Sequence, residues 1–523
     1  MTARRSAVPL QIILLLAVCA AVFWVRLGEG GLHASEAHRV APAYEMLDGG
    51  SWLVPRMFEQ PYLRKPPGMP WAIAGMTELL GRNEFAARSV SALASTGMAL
   101  IAFWAGRRWF GAGLAAGLAQ ALMPVLWESG RAAEIEALNH LGTQIAAFLL
   151  LDALVFARTP RARLLAAVGA AGGVVWFALA KGPASAPVLV GVIAAACVAT
   201  RSLRPLGGVV WVTLGLAGAA LGAVVYAIAR AVAAEPLEPV LQSPEAFLFE
   251  PGRIVGVLTL APAAFAQCLP VSLALLFPWG PDARREAEGW DDPRRFTVAR
   301  SLGWAWVVAV GVFMLSGVGN PRYTLPAAVL IPPLVGYVVA GMVRGLSPRR
   351  QRIARALLLG HRLAWPTLLV VVSGAYVQFI ESGRRATSGR DAGEALGSAI
   401  VAWCRAEPGR ELAVVLADHV VEARPEVLLA AQAEVRAAGL SGVRFRWVPG
   451  LQDLPASGVP AGPVLAVLRD DDGSGEAGRF GALSGVGMTA IEVGEARGFM
   501  FHKYRARLFF VSQPHFSDHI PGG

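Results

Sequence analysis

About eleven apolar runs, each close to the 17 to 25 residues that a helix needs to cross a bilayer, fill most of the first 380 residues of this chain. They lie near 8–25, 84–106, 109–126, 138–156, 163–180, 184–200, 206–229, 255–278, 301–318, 323–343 and 357–379. In lipid, each backbone amide must be satisfied inside its own segment, so such runs form helices. The expected class is a polytopic α-helical membrane protein embedded in the lipid bilayer. Only 16% of the 523 residues are charged, against roughly 25% in ordinary soluble domains. The net charge of +10 would point to nucleic acid in a soluble chain. No nucleic-acid motif accompanies it, and membrane topology explains it instead.

Arginine placement sets the orientation, because basic residues beside short loops stay on the cytoplasmic side. With Arg4 and Arg5 inside, alternate loops carry Arg107 and Arg108, then Arg158, Arg161 and Arg163, then Arg201 and Arg204. The series continues with Arg284, Arg285, Arg294 and Arg295, and ends with Arg344, Arg349, Arg350, Arg352 and Arg355. The N-terminus is therefore expected in the cytoplasm of a bacterium. An odd number of spans then leaves everything after about residue 381 in the periplasm. The start MTARRS looks like a signal peptide, but Arg26 and the lack of a small-x-small site favour an uncleaved first helix. Cys19, Cys197, Cys268 and Cys404 are scattered, so neither a disulfide framework nor a zinc motif is legible.

Two regions are expected: a membrane domain over 1–380 with a long first outer loop at 26–83, and a soluble α/β domain over 381–523. The loop is too long for a connector. Glu36 to Leu47 and Gly68 to Leu80 read as two short helices lying over the membrane face. Beyond residue 381, ELAVVLAD (411–418), VRFRWV (443–448), VLAVLRD (464–470) and TAIEVG (489–494) read as strands, with a helix in PEVLLAAQAEVRAAG. No GxGxxG, P-loop or nucleophile elbow is present.

Lysine usage is the sharpest chemical signal. The chain has only Lys65, Lys181 and Lys503, and the first two sit in outer-face motifs, RKPPG and AKGPA. Chance retention in an arginine-biased chain is one explanation; a compact ammonium on a phosphate is the other. Carboxylates near lipid are costly and tend to be functional, which singles out Glu36, Glu45, Glu128, Glu134 and Glu136. RAAEIE (131–136) starts where a span ends, so a salt-bridged helix cap competes with a functional reading there. In GNPRYTLP, Arg322 and Tyr323 stand at an outer boundary, as interfacial anchors or as a phosphate clamp opposite Lys65.

The ordered stretches SEAHRVAPAYEMLDGGSWLVPRMFEQPYLRKPPGMPWAI, NEFAARSVSAL, GRRWFG, ALAKGP and NPRYTLP resemble the ArnT-like and protein O-mannosyltransferase superfamily of GT-C glycosyltransferases. The resemblance spans roughly residues 10 to 340 and leaves the C-terminal domain outside. It implies transfer of a sugar from a polyprenyl-phosphate carrier to a lipid, glycan or protein acceptor at the periplasmic face. In such enzymes the first loop carries an acidic pair in the setting DEARY, followed by KPP. This chain departs from that pattern: Ser35-Glu36 replaces Asp-Glu, and His38-Arg39 replaces Arg-Tyr. Arg64 stands where many relatives have glutamate, and Glu136 where aspartate is common.

By this reading Glu36 is the base, with Glu136 its closest competitor and Ser35 orienting the acceptor. Lys65, Arg322 and Tyr323 hold the leaving phosphate, with Arg64, Arg131 and Lys181 as further phosphate-site candidates. A metal-binding histidine is implicated in ArnT-like enzymes, but the outer loop 230–254 has none. No cofactor is assigned, and a divalent metal stays an open alternative. A non-catalytic relative that binds lipid-linked saccharide or scaffolds an envelope complex is the competing function. A transporter fits less well, because the ionisable residues sit in outer loops and not at mid-membrane.

Overall fold

The structure is a computed structural model that describes residues 2–157, 159–200, 207–234, 254–279, 292–316, 320–345, 390–406, 412–417, 425–448, 464–467, 489–497 and 505–512. Helix α1 (Thr2–Cys19) runs into a π turn at Ala20–Trp24. The first loop then holds α2 (Ala34–Leu47), a minimal hairpin of β1 (Arg56–Met57) and β2 (Gln60–Pro61), and α3 (Gly68–Leu80). Next come α4 (Glu84–Ala105), α5 (Gly113–Ala121), α6 (Val125–Arg131), α7 (Ile135–Val155), α8 (Pro160–Lys181) and α9 (Ala186–Thr200). The helical region closes with α10 (Gly208–Val232), α11 (Ile254–Ala266), α12 (Arg294–Leu315), α13 (Leu325–Ala328) and α14 (Pro332–Gly345).

Among the described residues, five helical stretches are long and apolar enough to cross a membrane: Glu84–Phe110, Ile135–Val155, Pro160–Val198, Gly208–Val232 and Arg294–Leu315. A sixth is broken, its halves Pro321–Ala328 and Pro332–Gly341 meeting at 51°. The chain is thus a polytopic helical membrane protein. Several expected spans are not single helices. The run at 109–126 divides into α5 and α6 around Pro124, and the run at 255–278 ends its helix at Ala266, before Pro270. Proline supplies no amide to a helix interior, and hydropathy alone does not register that. The run at 357–379 lies outside the described residues.

Helix α7, at 21 residues, is about 31 Å long, close to the roughly 30 Å of a hydrocarbon core. Its far end is basic: Asp152 takes Arg108 Nε at 2.8 Å and Trp109 Nε1 at 3.1 Å. Its start, at Glu134 to Glu136, is the opposite end of the bundle. Helix α8 packs against α7 through glycines, where a Cβ at Gly142 would lie 2.6 Å from Phe177 N, and one at Gly173 2.6 Å from Ala146 N. Such backbone contact is how membrane helices gain dispersion energy without a hydrophobic driving force between them. It brings the last residue of α8, Lys181, beside Glu136.

After residue 390 come α15 (Arg390–Ala406), β3 (Leu412–Ala417), α16 (Pro425–Ala437), β4 (Val443–Val448), β5 (Val464–Val467), β6 (Thr489–Arg497) and β7 (Arg505–Ser512). The sheet order is β4-β3-β5-β7-β6, with β3, β4 and β5 parallel and β7 antiparallel to both its neighbours. Helix α15 and strand β7 are elements that the sequence reading missed. This unit sits on the first loop. Trp447 N donates to Phe58 O at 3.0 Å, Gln60 Nε2 donates to Trp447 O at 3.1 Å, and Arg436 pairs with Asp48. The edge strand β4 is thereby covered by the hairpin, which removes an exposed pairing edge.

Candidate active site

Helix α2 starts two residues earlier than the sequence suggested, because His33 caps it. Glu36 Oε2 accepts from His33 N at 2.8 Å, and the His33 ring takes the Ser35 amide at 3.4 Å. Residues four apart on a helix share a face, so Ser35 and Arg39 point together. Both line a cavity of 270 Å³. Neighbouring Glu36 points elsewhere.

Glu36 is 1% exposed and bound twice by Arg88, whose Nε lies 2.8 Å from Oε1 and Nη2 2.9 Å from Oε2. Oε1 also accepts from Ala133 N at 2.9 Å, and Arg88 spends further donors on the carbonyls of Leu27, Glu29 and Gly31. This buried pair ties the first loop to the segment before α7. Glu36, expected as the base, does not line the cavity.

The cavity's carboxylates are Glu134 and Glu136. Glu134 precedes α7, and its Oε1 accepts from Ser35 Oγ at 2.5 Å. Arg322 bridges the two acids, bonding Glu134 directly and lying 2.9 Å from Glu136. Lys181 Nζ lies 3.1 Å from Glu136 Oε1 and 5.5 Å from the centre of the Tyr323 ring. Burial and the adjacent Glu136 raise the Glu134 pKa above the ordinary carboxylate range, against the opposing pull of Ser35 and Arg322.

Lys65 lines the same cavity. The turn before α3 presses on the end of α8 so tightly that a Cβ at Gly68 would lie 2.6 Å from Leu179 O. Only glycine permits that approach, and it sets the RKPP turn beside Lys181. Burial, Arg39 and Lys181 all lower the Lys65 pKa, with Glu136 pulling the other way. The two lysines singled out by their rarity thus share one cavity.

Of the expected site residues, the structure gathers Ser35, Lys65, Glu136, Lys181, Arg322 and Tyr323. It separates three. Glu36 pairs with Arg88. Arg131, fully buried, donates to Val22 O at 3.0 Å and Val25 O at 2.8 Å and so pins the end of the first helix. Arg64 does not line the cavity. The sequence reading assigned no role to Arg39 or Asn320, and it passed over Glu134 in favour of Glu136. The four-residue spacing from Ser35 was the available signal for Arg39. His38, the other departure, is half-buried beside Tyr62 with ring centroids 6.1 Å apart, and desolvation holds its pKa down to about 4, so it stays neutral.

Among the described residues, no three of His, Cys, Asp and Glu converge in a way that would hold a metal. Both cavity acids are already engaged by Arg322 and Lys181, so their own negative charges are met by side chains.

Residues 64–226 match the family described as Dolichyl-phosphate-mannose-protein mannosyltransferase. No curated protein matches. Among solved structures, apo ArnT from Cupriavidus metallidurans is similar at 18% identity and TM-score 0.66, covering 96% of this chain and 98% of that one. ArnT of the same organism bound to undecaprenyl phosphate gives TM-score 0.64 at 18% identity, over 95% and 97% of the two chains. An Archaeoglobus fulgidus oligosaccharyltransferase reaches a TM-score of 0.45 at 13% identity, over 77% of this chain and 59% of that one. Over residues 64–226 the chain is therefore similar to the dolichyl-phosphate-mannose-protein mannosyltransferase family, and over nearly its whole length it shares the polytopic fold of the ArnT structures.

Proposed function

We propose that this chain is a glycosyltransferase of the bacterial cytoplasmic membrane that moves a sugar from a polyprenyl-phosphate carrier to a periplasmic lipid, glycan or protein acceptor. The observation that carries this reading is one cavity lined both by the cations Lys65 and Lys181 and by the carboxylates Glu134 and Glu136, with Lys181 joined to Glu136. The fold likeness to an ArnT bound to undecaprenyl phosphate supports the choice of carrier.

The acceptor oxygen attacks the anomeric carbon while the bond from that carbon to the phosphate oxygen breaks. The departing electron pair stays on the phosphate, where Lys65, Lys181 and the Tyr323 hydroxyl stabilise it. The acceptor proton passes to Glu134, whose pKa is raised by burial and by Glu136, which makes it a stronger base than an ordinary carboxylate. Ser35 Oγ, already donating to Glu134, marks where a hydroxyl approaches that carboxylate. Arg322 holds the two acids in place. A non-catalytic relative is the second reading, favoured by the ion pairs that already occupy both acids.

The test is transfer of radiolabelled sugar from defined polyprenyl-phosphate donors. Lys65→Ala is expected to lower transfer by about 100- to 1,000-fold with insertion intact. Lys65→Arg restores only part, because a planar guanidinium does not fit an ammonium site without rearrangement. Wild-type transfer in Lys65→Ala removes Lys65 from the site. The orientation is tested by reporter fusions after Arg108 and after Ser382, and a cytoplasmic signal after Ser382 overturns it.

A further inference from the structure

The cavity holds more positive charge than its acids balance. Arg39, Lys65, Lys181 and Arg322 face Glu134 and Glu136, an excess of two positive charges. The two acids are consumed internally by Arg322 and Lys181. Arg39 differs from these: it lines the cavity, half-buried, and has neither a hydrogen bond nor an ion pair among the described residues. A guanidinium presents five donors in a rigid fork matched to planar anions. One left without a partner inside a cavity is poised for a ligand.

Its position narrows the choice. Arg39 stands one helical turn from Ser35, whose hydroxyl touches Glu134, and it is close enough to Lys65 for their charges to repel. It therefore lies between Lys65 and the Ser35–Glu134 pair, where the transferred sugar must sit if the proposed function holds. The donor's phosphodiester carries a single negative charge, so at Lys65 and Lys181 it leaves Arg39 uncompensated.

We infer that Arg39 recognises a second anionic group on the donor, so that the sugar itself is acidic, of the hexuronic acid class. This rests on the donor reading above. The sugar carboxylate would lie across the Arg39 fork in a charge-assisted, two-point contact, which neutral sugars do not offer.

Equilibrium binding to the full chain in nanodiscs tests this, with undecaprenyl phosphate, undecaprenyl phosphoglucose and undecaprenyl phosphoglucuronate as probes. Wild type is expected to bind the glucuronate about tenfold or more tightly than the glucose compound. Arg39→Gln should erase that preference while leaving undecaprenyl phosphate near its wild-type affinity, and Arg39→Lys should keep part of it. Equal binding of the two sugars by wild type overturns the inference. So does a uniform loss for all three probes in Arg39→Gln, which would make Arg39 a plain phosphate contact, and so does a preference that survives in Arg39→Gln, which would assign the second anion to another residue or to the acceptor. A different result bears on the donor reading itself: if undecaprenyl phosphate fails to bind wild type, or binds Lys65→Ala equally well, that reading falls and takes this one with it.

Discussion

Two carboxylate clusters meet at consecutive residues and behave in opposite ways. Glu36 reaches the Ala133 amide, and Glu134 begins the next cluster. In the first, Glu36 and Arg88 are 1% and 0% exposed and match each other in two contacts, with backbone partners taking up remaining capacity. In the second, two acids share Arg322 at the wall of a cavity, and the Arg322 side chain is 54% exposed. A closed pair of this kind has no room for substrate and serves to fix a segment. An open cluster with surplus charge can exchange partners, which group transfer requires.

The largest effect is expected from breaking the closed pair. Arg88→Leu leaves Glu36 buried without its counter-charge, which costs about 3 to 5 kcal/mol. The outcome is loss of folded protein, read as thermal unfolding and yield in detergent, with transfer lost only in proportion. Normal stability with abolished transfer would return Glu36 and Arg88 to the reaction and erase the distinction between the clusters.

The open cluster should respond the other way. Glu134→Gln keeps the shape of the side chain but removes the basic oxygen, so transfer falls by about 100-fold or more while the unfolding temperature stays near wild type. Because the Glu134 pKa is raised, the wild-type rate should decline as pH drops through a value above the ordinary carboxylate range, and Glu134→Gln should lack that decline. If Glu136→Gln alone abolishes transfer and the acidic decline, the base is Glu136.

What the sequence disclosed follows from which property each residue type carries. Hydropathy exposed the polytopic class, because burial in lipid demands long apolar helices. Rarity exposed Lys65 and Lys181. Neither property says which way a side chain turns, and Ser35, Glu36 and Arg39 are decided by rotation about α2, whose start depends on the His33 cap. Glu134 was among the carboxylates singled out but was given no role, because a single residue separates it from Glu136 and only the path of the chain before α7 shows that both reach the cavity. Arg131 misled for a related reason: its charge suggested phosphate, while burial commits it to the Val22 and Val25 carbonyls. The breaks at Pro124 and before Pro270 were visible as prolines, but their consequence for span count depends on packing.

The smallest expected effect concerns a third carboxylate, intermediate between the two clusters. Glu45 on α2 is largely buried and accepts from the amides of Phe58 and Glu59 at the tip of the β1–β2 hairpin, both of which have positive φ. Burial is the main cause that lifts its pKa to about 7, and the neighbouring Glu59 adds to this, while the two amides and Arg56 pull it down. Glu59 also faces Arg446 of β4 at 3.4 Å, so this turn is part of the seam between the first loop and the C-terminal sheet. The sign follows from linkage. Between the unfolded value near 4.5 and the folded value of about 7, the folded chain keeps a proton that the unfolded chain has released. Stability from this group is therefore greatest below about pH 4.5 and declines as pH rises to about 7. Glu45→Gln retains an acceptor for Phe58 N and cannot ionise. Its thermal midpoint should fall less than wild type's as pH is raised from about 5 to 8. Limited proteolysis near the hairpin should show the same divergence, with wild type cut faster at the higher pH. Parallel midpoint curves for the two proteins would mean that Glu45 ionises without cost, and would leave the seam insensitive to pH.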